Sequence, residues 1–401
     1  MNTIKLYLSV MLVGFGLSAC EYSEPNVYQP SVYFQKFIGG AFGEELVESA
    51  LLDDGSIIML GNREEGTNNQ SNIYLAKTDN NGDLVWEKEL GVGQNTVATD
   101  LLIMPNNELL VLATLKNTAG DSDFGLLKLS TEGSIVDSIS LGNANRMEEA
   151  NQIALKNSGD GFIVGGVILE NGQIVDNLFY DINTDGSVIN WEVSYGNLIT
   201  PGELVGIRHL TDGNILWVGN VNNSNTVDSD IITAVIRNNG IIEEVAYYGQ
   251  NNGKNDIARS MVDYGDNWMI AGSTDNQDFN VRNGLAVELA YNGTIEILRS
   301  FTNQTERPSE FNHFAISSVR QIFAVGSLES SPENTDLYLS SWTATENLVF
   351  ERLYGGDEND VAQAIHLSEG YLTMIGASTV ATNVSLVLIR TDENGYLLGD
   401  E

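Results

Sequence analysis

Six carboxylates occur in register with a repeat of about 53 residues in this 401-residue chain. Each lies 16 or 17 positions before a small residue that ends an apolar run. The six are Glu45, Glu149, Glu203, Asp256, Glu310 and Asp360. Carboxylates that converge can bind a cation or a basic group, but a carboxylate can equally accept backbone N–H bonds that fix a turn. Because almost every repeat carries the acid, the structural role is favoured over a specific site.

A second group of oxygen ligands follows the spacing of a calcium loop. Asp181, Asn183 and Asp185 alternate before Gly186, and Glu192 occupies the twelfth position. Alternating oxygen ligands, a turn glycine and a distal glutamate are the formula of such loops. No helical pattern flanks the segment, and the turn chemistry of the repeat produces half of the motif by itself. Calcium is therefore a possible cofactor at these residues, and no cofactor is required.

The three histidines give no catalytic arrangement. His209 and His366 occupy the same register in different repeats and are interpreted as packing or turn residues. His313 lies near Glu310 and is a candidate base. The sequence contains no recognisable Ser/His/Asp arrangement, nucleotide-binding loop or metal-ligand cluster. It therefore predicts no catalytic residue, and a non-enzymatic role is favoured.

The elements that must position these side chains are visible as a repeat. An apolar run that ends in a small residue occurs seven times, at spacings of 50 to 54 residues. The runs end at Gly61, Ala113, Gly166, Gly219, Gly272, Gly326 and Gly376. A polar loop and a second β-rich stretch follow each run. An Asn-Gly or Asp-Gly turn often comes next, before a third stretch. With the segment before each run, this pattern predicts four short strands per repeat and no helix.

The two ends of the chain complement each other. The last repeat, from Gly355 to Glu401, is too short for its fourth strand, whereas residues 32–38 have the pattern of an isolated fourth strand. We therefore expect an all-β fold: a seven-bladed β-propeller over residues 32–401, with four antiparallel strands per blade and the N-terminal strand closing the last blade. The repeats start near residues 39, 91, 142, 196, 249, 302 and 355. The six acids would then open the innermost strands at one mouth of the channel.

Two motifs support a family resemblance. Gly355-Gly356-Asp357-Glu358-Asn359-Asp360 leads into Ser368-Glu369-Gly370-Tyr371, and Lys77-Thr78-Asp79-Asn80-Asn81-Gly82 leads to Trp86. These segments resemble the Gly-rich propeller repeats of secreted and lipoprotein bacterial proteins. The resemblance covers essentially residues 32–401 and implies the fold, but it implies no particular activity.

The N-terminus has the pattern of a targeting segment. Lys5 precedes an apolar stretch, and Leu17-Ser18-Ala19-Cys20 resembles the lipobox of bacterial lipoproteins, in which the cysteine is acylated. We expect residues 1–19 to be removed, Cys20 to carry the lipid and residues 20–31 to form a tether. Glu21 after the cysteine favours the outer membrane of a Gram-negative cell.

Charge narrows the choice of partners. The chain has 55 Asp and Glu against 19 Lys and Arg, a net charge of −36, which disfavours nucleic acid and anionic lipid surfaces. We expect a monomeric domain that contacts the membrane only through its lipid and binds a protein or polysaccharide. The alternative is a carbohydrate-binding or carbohydrate-active propeller that uses the channel-mouth acids.

Overall fold

The computed structural model describes residues 33–39, 44–65, 70–91, 95–117, 121–144, 146–196, 198–223, 228–249, 254–275, 281–301, 306–332, 334–380 and 383–397. All of them belong to one compact unit, Val32–Glu401. The secondary-structure elements of these described residues are all β-strands. None of the described segments is a helix of the length and apolarity needed to cross a membrane. The predicted signal peptide and Cys20 lie outside the described residues.

The strands are grouped along the chain in sets of four. The first three sets are β2 (Glu44–Leu51), β3 (Ile57–Glu65), β4 (Gln70–Thr78), β5 (Leu84–Leu90); β6 (Thr96–Ile103), β7 (Leu109–Lys116), β8 (Ser122–Leu129), β9 (Ile135–Leu141); and β10 (Met147–Leu155), β11 (Gly161–Glu170), β12 (Gln173–Asn183), β13 (Ile189–Ser194). The next three are β14 (Gly202–His209), β15 (Ile215–Asn223), β16 (Asp228–Ile236), β17 (Ile242–Tyr248); β18 (Asp256–Tyr264), β19 (Asn267–Asp275), β20 (Arg282–Leu289), β21 (Ile295–Phe301); and β22 (Ser309–Ile316), β23 (Ile322–Ser331), β24 (Asn334–Trp342), β25 (Leu348–Tyr354). The last strands are β26 (Asp360–Ser368), β27 (Tyr371–Val380) and β28 (Asn383–Asp392), and the chain's first strand is β1 (Phe34–Ile38).

The strands form a β-propeller of antiparallel sheets. Five sheets have four strands, and β6 to β13 form one sheet of eight. In that sheet a single parallel pair, Met147 with Ser122, joins β10 to β8. The N-terminal strand β1 pairs with β28, so that the sheet β1-β28-β27-β26 combines both ends of the chain. The expected position of β1 is therefore confirmed.

The core lies between neighbouring sheets, where the second strands supply the apolar runs. Trp217 on β15 is fully buried and packs with Phe179 of the preceding sheet. The small residue at the end of each run is a steric requirement. A Cβ atom at Gly326 would overlap the backbone oxygen of Glu310 on the adjacent strand. This close approach of the first two strands favours glycine in six of the seven repeats, and Ala113 is the exception.

Each first strand contains a β-bulge just after that close approach. The register shifts occur at equivalent places on β2, β6, β10, β14, β18, β22 and β26. A bulge inserts an unpaired residue and re-aims the side chains beyond it. Several of the inserted residues bind the next sheet: the amide of Asn312 donates to the Ala362 carbonyl at 2.8 Å, and that of Gln363 donates to the Leu46 carbonyl at 3.3 Å.

The predicted glycine turns have the expected conformation but a longer loop. Gly82, Gly186 and Gly240 have φ of 73°, 69° and 81°, the left-handed region that glycine tolerates. Instead of two-residue hairpins, five residues separate the paired residues Thr78 and Leu84, and the Gly82 N–H donates to the Asp79 carbonyl at 3.0 Å. The register shift beside this turn explains the additional residues.

Candidate functional site

The six predicted acids occupy two adjacent strand positions instead of one. Glu45, Glu149, Glu203 and Glu310 lie one residue before the partner of the small residue. Asp256 and Asp360 lie two residues before it. In the sheets of Asp256 and Asp360, a shorter turn connects the first two strands. Counting 16 residues back from the small residue therefore reaches a different strand position in these two sheets. Since one residue along a strand reverses the face of the side chain, the prediction of a single ring of six acids is wrong.

The position two residues before the partner of the small residue is buried, and its acids have a structural role. Asp360 accepts the Gly356 N–H at 3.0 Å, in the segment that enters its sheet. At this position the first and third sets carry Glu44 and Glu148, the neighbours of the predicted Glu45 and Glu149. Glu148 accepts the Asn143 N–H at 3.2 Å and forms an ion pair with Arg146, and Glu44 pairs with Arg63 at 2.6 Å. These acids therefore fix the connections between sheets.

Side chains at the other position, one residue before the partner of the small residue, face solvent or the channel. The channel is the space that the first strands of the sheets enclose. Glu45 and Glu203 are exposed, and Glu149 lies 3.3 Å from the ammonium of Lys116. Glu310 lies between the guanidinium groups of Arg259, at 3.4 Å, and Arg282, at 3.7 Å. Of the six acids, Glu203 alone lines the cavity of about 290 Å³ at this end of the channel.

Alanine at Arg146 is expected to lower the free energy of unfolding by about 2 kcal/mol, because it leaves the fully buried Glu148 without its counter-charge. This value lies below the usual range of about 3–5 kcal/mol for a buried pair, since Arg146 itself is partly exposed. Urea unfolding measures the change. The control is Glu192→Gln, which removes a more exposed partner of Arg146 and should cost less than about 1 kcal/mol. Equal losses would contradict the structural role of Glu148.

The four predicted calcium ligands do not converge. Asp181 is buried in β12 and accepts hydrogen bonds from Lys156, at 3.1 Å, and Asn190, at 2.9 Å. Asn183 and Asp185 accept backbone N–H groups of their own turn. Asp181 pairs with Trp191 across the strands, so Glu192 projects from the opposite face. Strand geometry replaces the expected loop, so the four residues do not form one set of ligands in the described structure, and calcium binding remains a prediction.

Calcium is accordingly expected to shift the unfolding temperatures of the wild-type protein and Asp181→Asn equally. The Lys156 ammonium already neutralises the Asp181 carboxylate, so no oxygen set remains for the ion at this turn. Thermal unfolding with EDTA and then with millimolar Ca²⁺ measures the two shifts. A calcium shift that is present in the wild type and absent in Asp181→Asn would support calcium binding by Asp181.

Two of the histidines connect neighbouring sheets, as packing or turn residues do. The Asn157 side chain donates to the His209 carbonyl at 2.8 Å. The His366 ring shares a hydrogen bond of 2.9 Å with the Ser49 hydroxyl, which links β26 to β2. Burial lowers the pKa of His366 to about 4. A weak base of this kind does not activate a serine at neutral pH, so the Ser49–His366 pair is a packing contact.

A second cavity in the channel, next to the first, has a volume of about 670 Å³. It is lined by the side chains that follow the bulges on five of the first strands. These are Glu48, Asp100, Gln152, Ser260 and His313. Unlike the buried acids, this position differs from sheet to sheet, and an asymmetric position on a symmetric scaffold is where a specific site is expected.

Two carboxyl groups lie side by side in this cavity on adjacent first strands. Asp100 accepts the N–H groups of Leu101 and of Ile153 in the next sheet, both at 2.8 Å. Glu48 accepts the Ser49 N–H at 2.8 Å. Burial, reinforced by the charge of Glu48, raises the pKa of Asp100 to about 7. Burial also raises the pKa of Glu48. The cavity therefore holds two preformed carboxyl groups that lose their protons reluctantly.

One guanidinium is fixed beside them. Arg208 donates to the Met261 carbonyl at 2.6 Å and to its own neighbour, the Ile207 carbonyl, at 2.9 Å. Its guanidinium lies over the ring of Trp268, 5.6 Å from the centroid. From there it acts electrostatically on Glu48, Asp100 and His313. Burial, with smaller contributions from His366 and Arg208, lowers the pKa of His313 to about 3, so this ring is neutral.

The sequence interpretation missed Glu48, Asp100 and Arg208. A signal existed for the first two, since they occupy the repeat column 13 residues before the small residue. The residues at this position after the bulge differ in chemical type among the repeats. The importance of this column is hidden because the bulge, which turns it toward the channel, leaves no recognisable residue pattern. His313 was identified as a candidate base, but its low pKa argues against that role.

Comparisons with solved structures agree with the fold. The β-propeller domain of the Trilobed protease from Pyrococcus furiosus has 9% identity and a TM-score of 0.52, and the match covers 90% of this chain and 100% of that one. A protein of unknown function from Dyadobacter fermentans has 11% identity and a TM-score of 0.52, with coverage of 90% and 98%. Puromycin hydrolase has 12% identity and a TM-score of 0.55, and the match covers 93% of this chain but only 57% of the hydrolase. At this identity the likeness concerns the fold alone. No family model and no curated protein matches the sequence.

Proposed function

We propose that this chain is a lipid-anchored, seven-bladed β-propeller that binds a partner without transforming it. The blade count is supported by the contacts between first strands, which run from β2 through β6, β10, β14, β18, β22 and β26 and return to β2. The eight-stranded sheet then counts as two blades, since a single pair of residues joins its halves. The strand β1 completes the last blade.

The anchor is the lipid on Cys20, inferred from the lipobox resemblance. The chain between Cys20 and Phe34 would reach at most about 50 Å if it were fully extended. A tether of this length keeps the propeller close to a membrane. We assign it to the outer membrane of a Gram-negative cell, as a monomeric domain that contacts the bilayer only through its lipid.

The binding role depends above all on the 670 Å³ channel cavity. Its carboxyl groups are positioned by backbone N–H groups, and its guanidinium is held by backbone carbonyls. Side chains fixed in this way form a recognition surface that costs little to order when a ligand binds. The ligand is a protein or a polysaccharide. Nucleic acid is disfavoured by the charge of −36.

Acylation is tested by labelling cells with a palmitate analogue. The wild-type chain should be labelled and should sediment with membranes, whereas Cys20→Ser should lose the label and enter the soluble fraction. Thermal unfolding of the purified chain with soluble glycans then tests the binding role, because a ligand of the native state raises the unfolding temperature. Release of reducing ends from any glycan would overturn the non-enzymatic assignment.

A carbohydrate-active propeller is the second candidate, and the Glu48–Asp100 pair is the observation that favours it. Glycoside hydrolysis uses two carboxyl groups, one with a raised pKa. The surroundings of Trp268, the aromatic ring of the cavity, disfavour a carbohydrate-active role. Arg208 and Tyr291 lie on this ring and reduce the surface that could stack on a sugar. Glycan cleavage that is lost in both Glu48→Gln and Asp100→Asn would select this candidate.

A further inference from the structure

The interior of the channel cavity places two carboxyl groups beside one guanidinium. Glu48 and Asp100 face Arg208, and Arg259, the other arginine of the lining, is exposed and pairs with Glu310 at 3.4 Å. His313 is neutral, and the Asp263 carboxylate near Arg208, at 3.7 Å, is largely exposed. A buried charge without a partner is costly, so it either takes up a proton or attracts a cation.

The cavity also has room and unused polar atoms opposite the carboxyl pair. At the position of Glu48 and Asp100, β14 and β18 carry the small residues Gly206 and Ser260. The Ser260 Oγ and the His313 Nδ1 are buried and have no hydrogen-bond partner among the described residues. Both residues line the cavity. These atoms can accept hydrogen bonds from a ligand that enters beside the carboxyl groups.

We propose that the cavity binds a primary ammonium group, on a small organic amine or a lysine side chain, between Glu48 and Asp100. An ammonium has three donors and a single positive charge, and two carboxyl groups can accept its hydrogen bonds and balance that charge. A metal ion fits less well, since no group of three or more metal-binding side chains occurs in the described part of the chain. The net charge of −36 attracts cations to the channel. The inference rests on the binding role proposed above and is independent of the lipid anchor.

Binding of the ammonium should displace a proton from Asp100. The groups that act on this carboxyl are Glu48 on β2, Arg208 on β14 and the N–H groups of Leu101 and Ile153. Since the pKa of Asp100 is about 7, the ionised fraction rises about tenfold between pH 6 and pH 8. A ligand that requires the ionised form therefore gains about tenfold in affinity over this interval.

Calorimetric titration of the purified full chain tests the proposal, with n-butylammonium chloride and an N-acetylated peptide that carries one lysine as probes. Titrations at pH 6 and pH 8, in buffers with different ionisation enthalpies, report both the affinity and the proton release. We expect the amine to bind more tightly at pH 8 than at pH 6, and we expect its binding to release a proton from the protein. Binding of both the amine and the peptide would identify lysine side chains as ligands. Binding of the amine without binding of the peptide would identify free amines as the ligands.

Variants separate the site from general charge attraction. Glu48→Gln and Asp100→Asn should each lower the affinity at least tenfold, whereas Glu45→Gln, on the same strand and with the same change in net charge, should leave it within twofold. Ser260→Leu should abolish binding without changing the charge. Far-ultraviolet circular dichroism confirms that each variant is folded.

The proposal is overturned by absence of binding heat for the amine, by an affinity that does not change with pH, or by equal losses in Glu45→Gln and Asp100→Asn. Unchanged binding in Ser260→Leu would also contradict it. None of these results bears on acylation, which the Cys20→Ser comparison tests separately. Loss of the lipid label would in turn leave the amine titration unaffected.

Discussion

Replacement of both Phe34 and Ile38 by alanine is expected to lower the free energy of unfolding by about 5 kcal/mol, because it removes two buried apolar side chains. Both side chains of β1 are buried between the last and first sheets, against Tyr74 and Leu388. The Arg390 guanidinium lies 5.0 Å from the centre of the Phe34 ring. Loss of these contacts weakens the strand that covers the edge of β28.

Denaturant unfolding of the full chain measures this change. The matched control is Phe37→Ala, which removes the same kind of side chain from β1 at a position that is 52% exposed. We expect a loss below about 1 kcal/mol for the control. Similar losses for Phe37→Ala and for the double substitution of Phe34 and Ile38 would indicate that β1 does not hold the last sheet to the first.

Asp100 is expected to make the protein less stable as the pH rises from 4 to 8. Its pKa is about 7 in the folded protein against 3.8 in the unfolded chain, so the folded state binds the proton more tightly. Between these values the folded state carries more protons, and stability falls as pH increases. The contribution is fully present below about pH 4, is lost through pH 7, and amounts to at most about 4 kcal/mol.

The measurement compares the pH dependence of the wild type with that of Asp100→Asn. Asparagine cannot ionise, so its curve should lack the fall, although the loss of one side-chain oxygen that accepts a backbone N–H lowers its stability at every pH. Glu45→Gln serves as the control, because Glu45 is exposed and its removal should leave the wild-type slope unchanged. Equal slopes for the wild type and Asp100→Asn would refute the raised pKa of Asp100.

The strand repeat was readable from the sequence because its signals are local. Apolar runs, turn glycines and the small residue after each run reflect contacts within one sheet, as the close approach at Gly326 illustrates. Where the turn glycine is replaced, Asn107 and Glu346 adopt the left-handed conformation instead, with φ of 63° and 67°. The position of β1 beside β28 was also readable, since Phe34 repeats the pattern of Trp86 in its own sheet.

The candidate site was not readable to the same extent. A count of 16 or 17 residues selected Glu45 and Glu149, while the buried position belongs to Glu44 and Glu148. The error is one residue, but strands alternate their faces, so one residue decides between a buried contact and an exposed side chain. The proposed calcium ligands do not converge for the same reason, because Asp181 and Glu192 lie on opposite faces of one sheet.

By itself, the sequence determined the all-β class, the strand pattern, the role of β1 and the acidic charge, because each depends on residue types and short spacings. The tertiary structure alone decided which polar side chains meet in the channel. Glu48, Asp100, Arg208 and His313 come from four sheets, and they share one cavity because bulges on their strands turn them inward. Their pKa values follow from burial, which depends on the packing of distant segments and leaves no mark on local sequence.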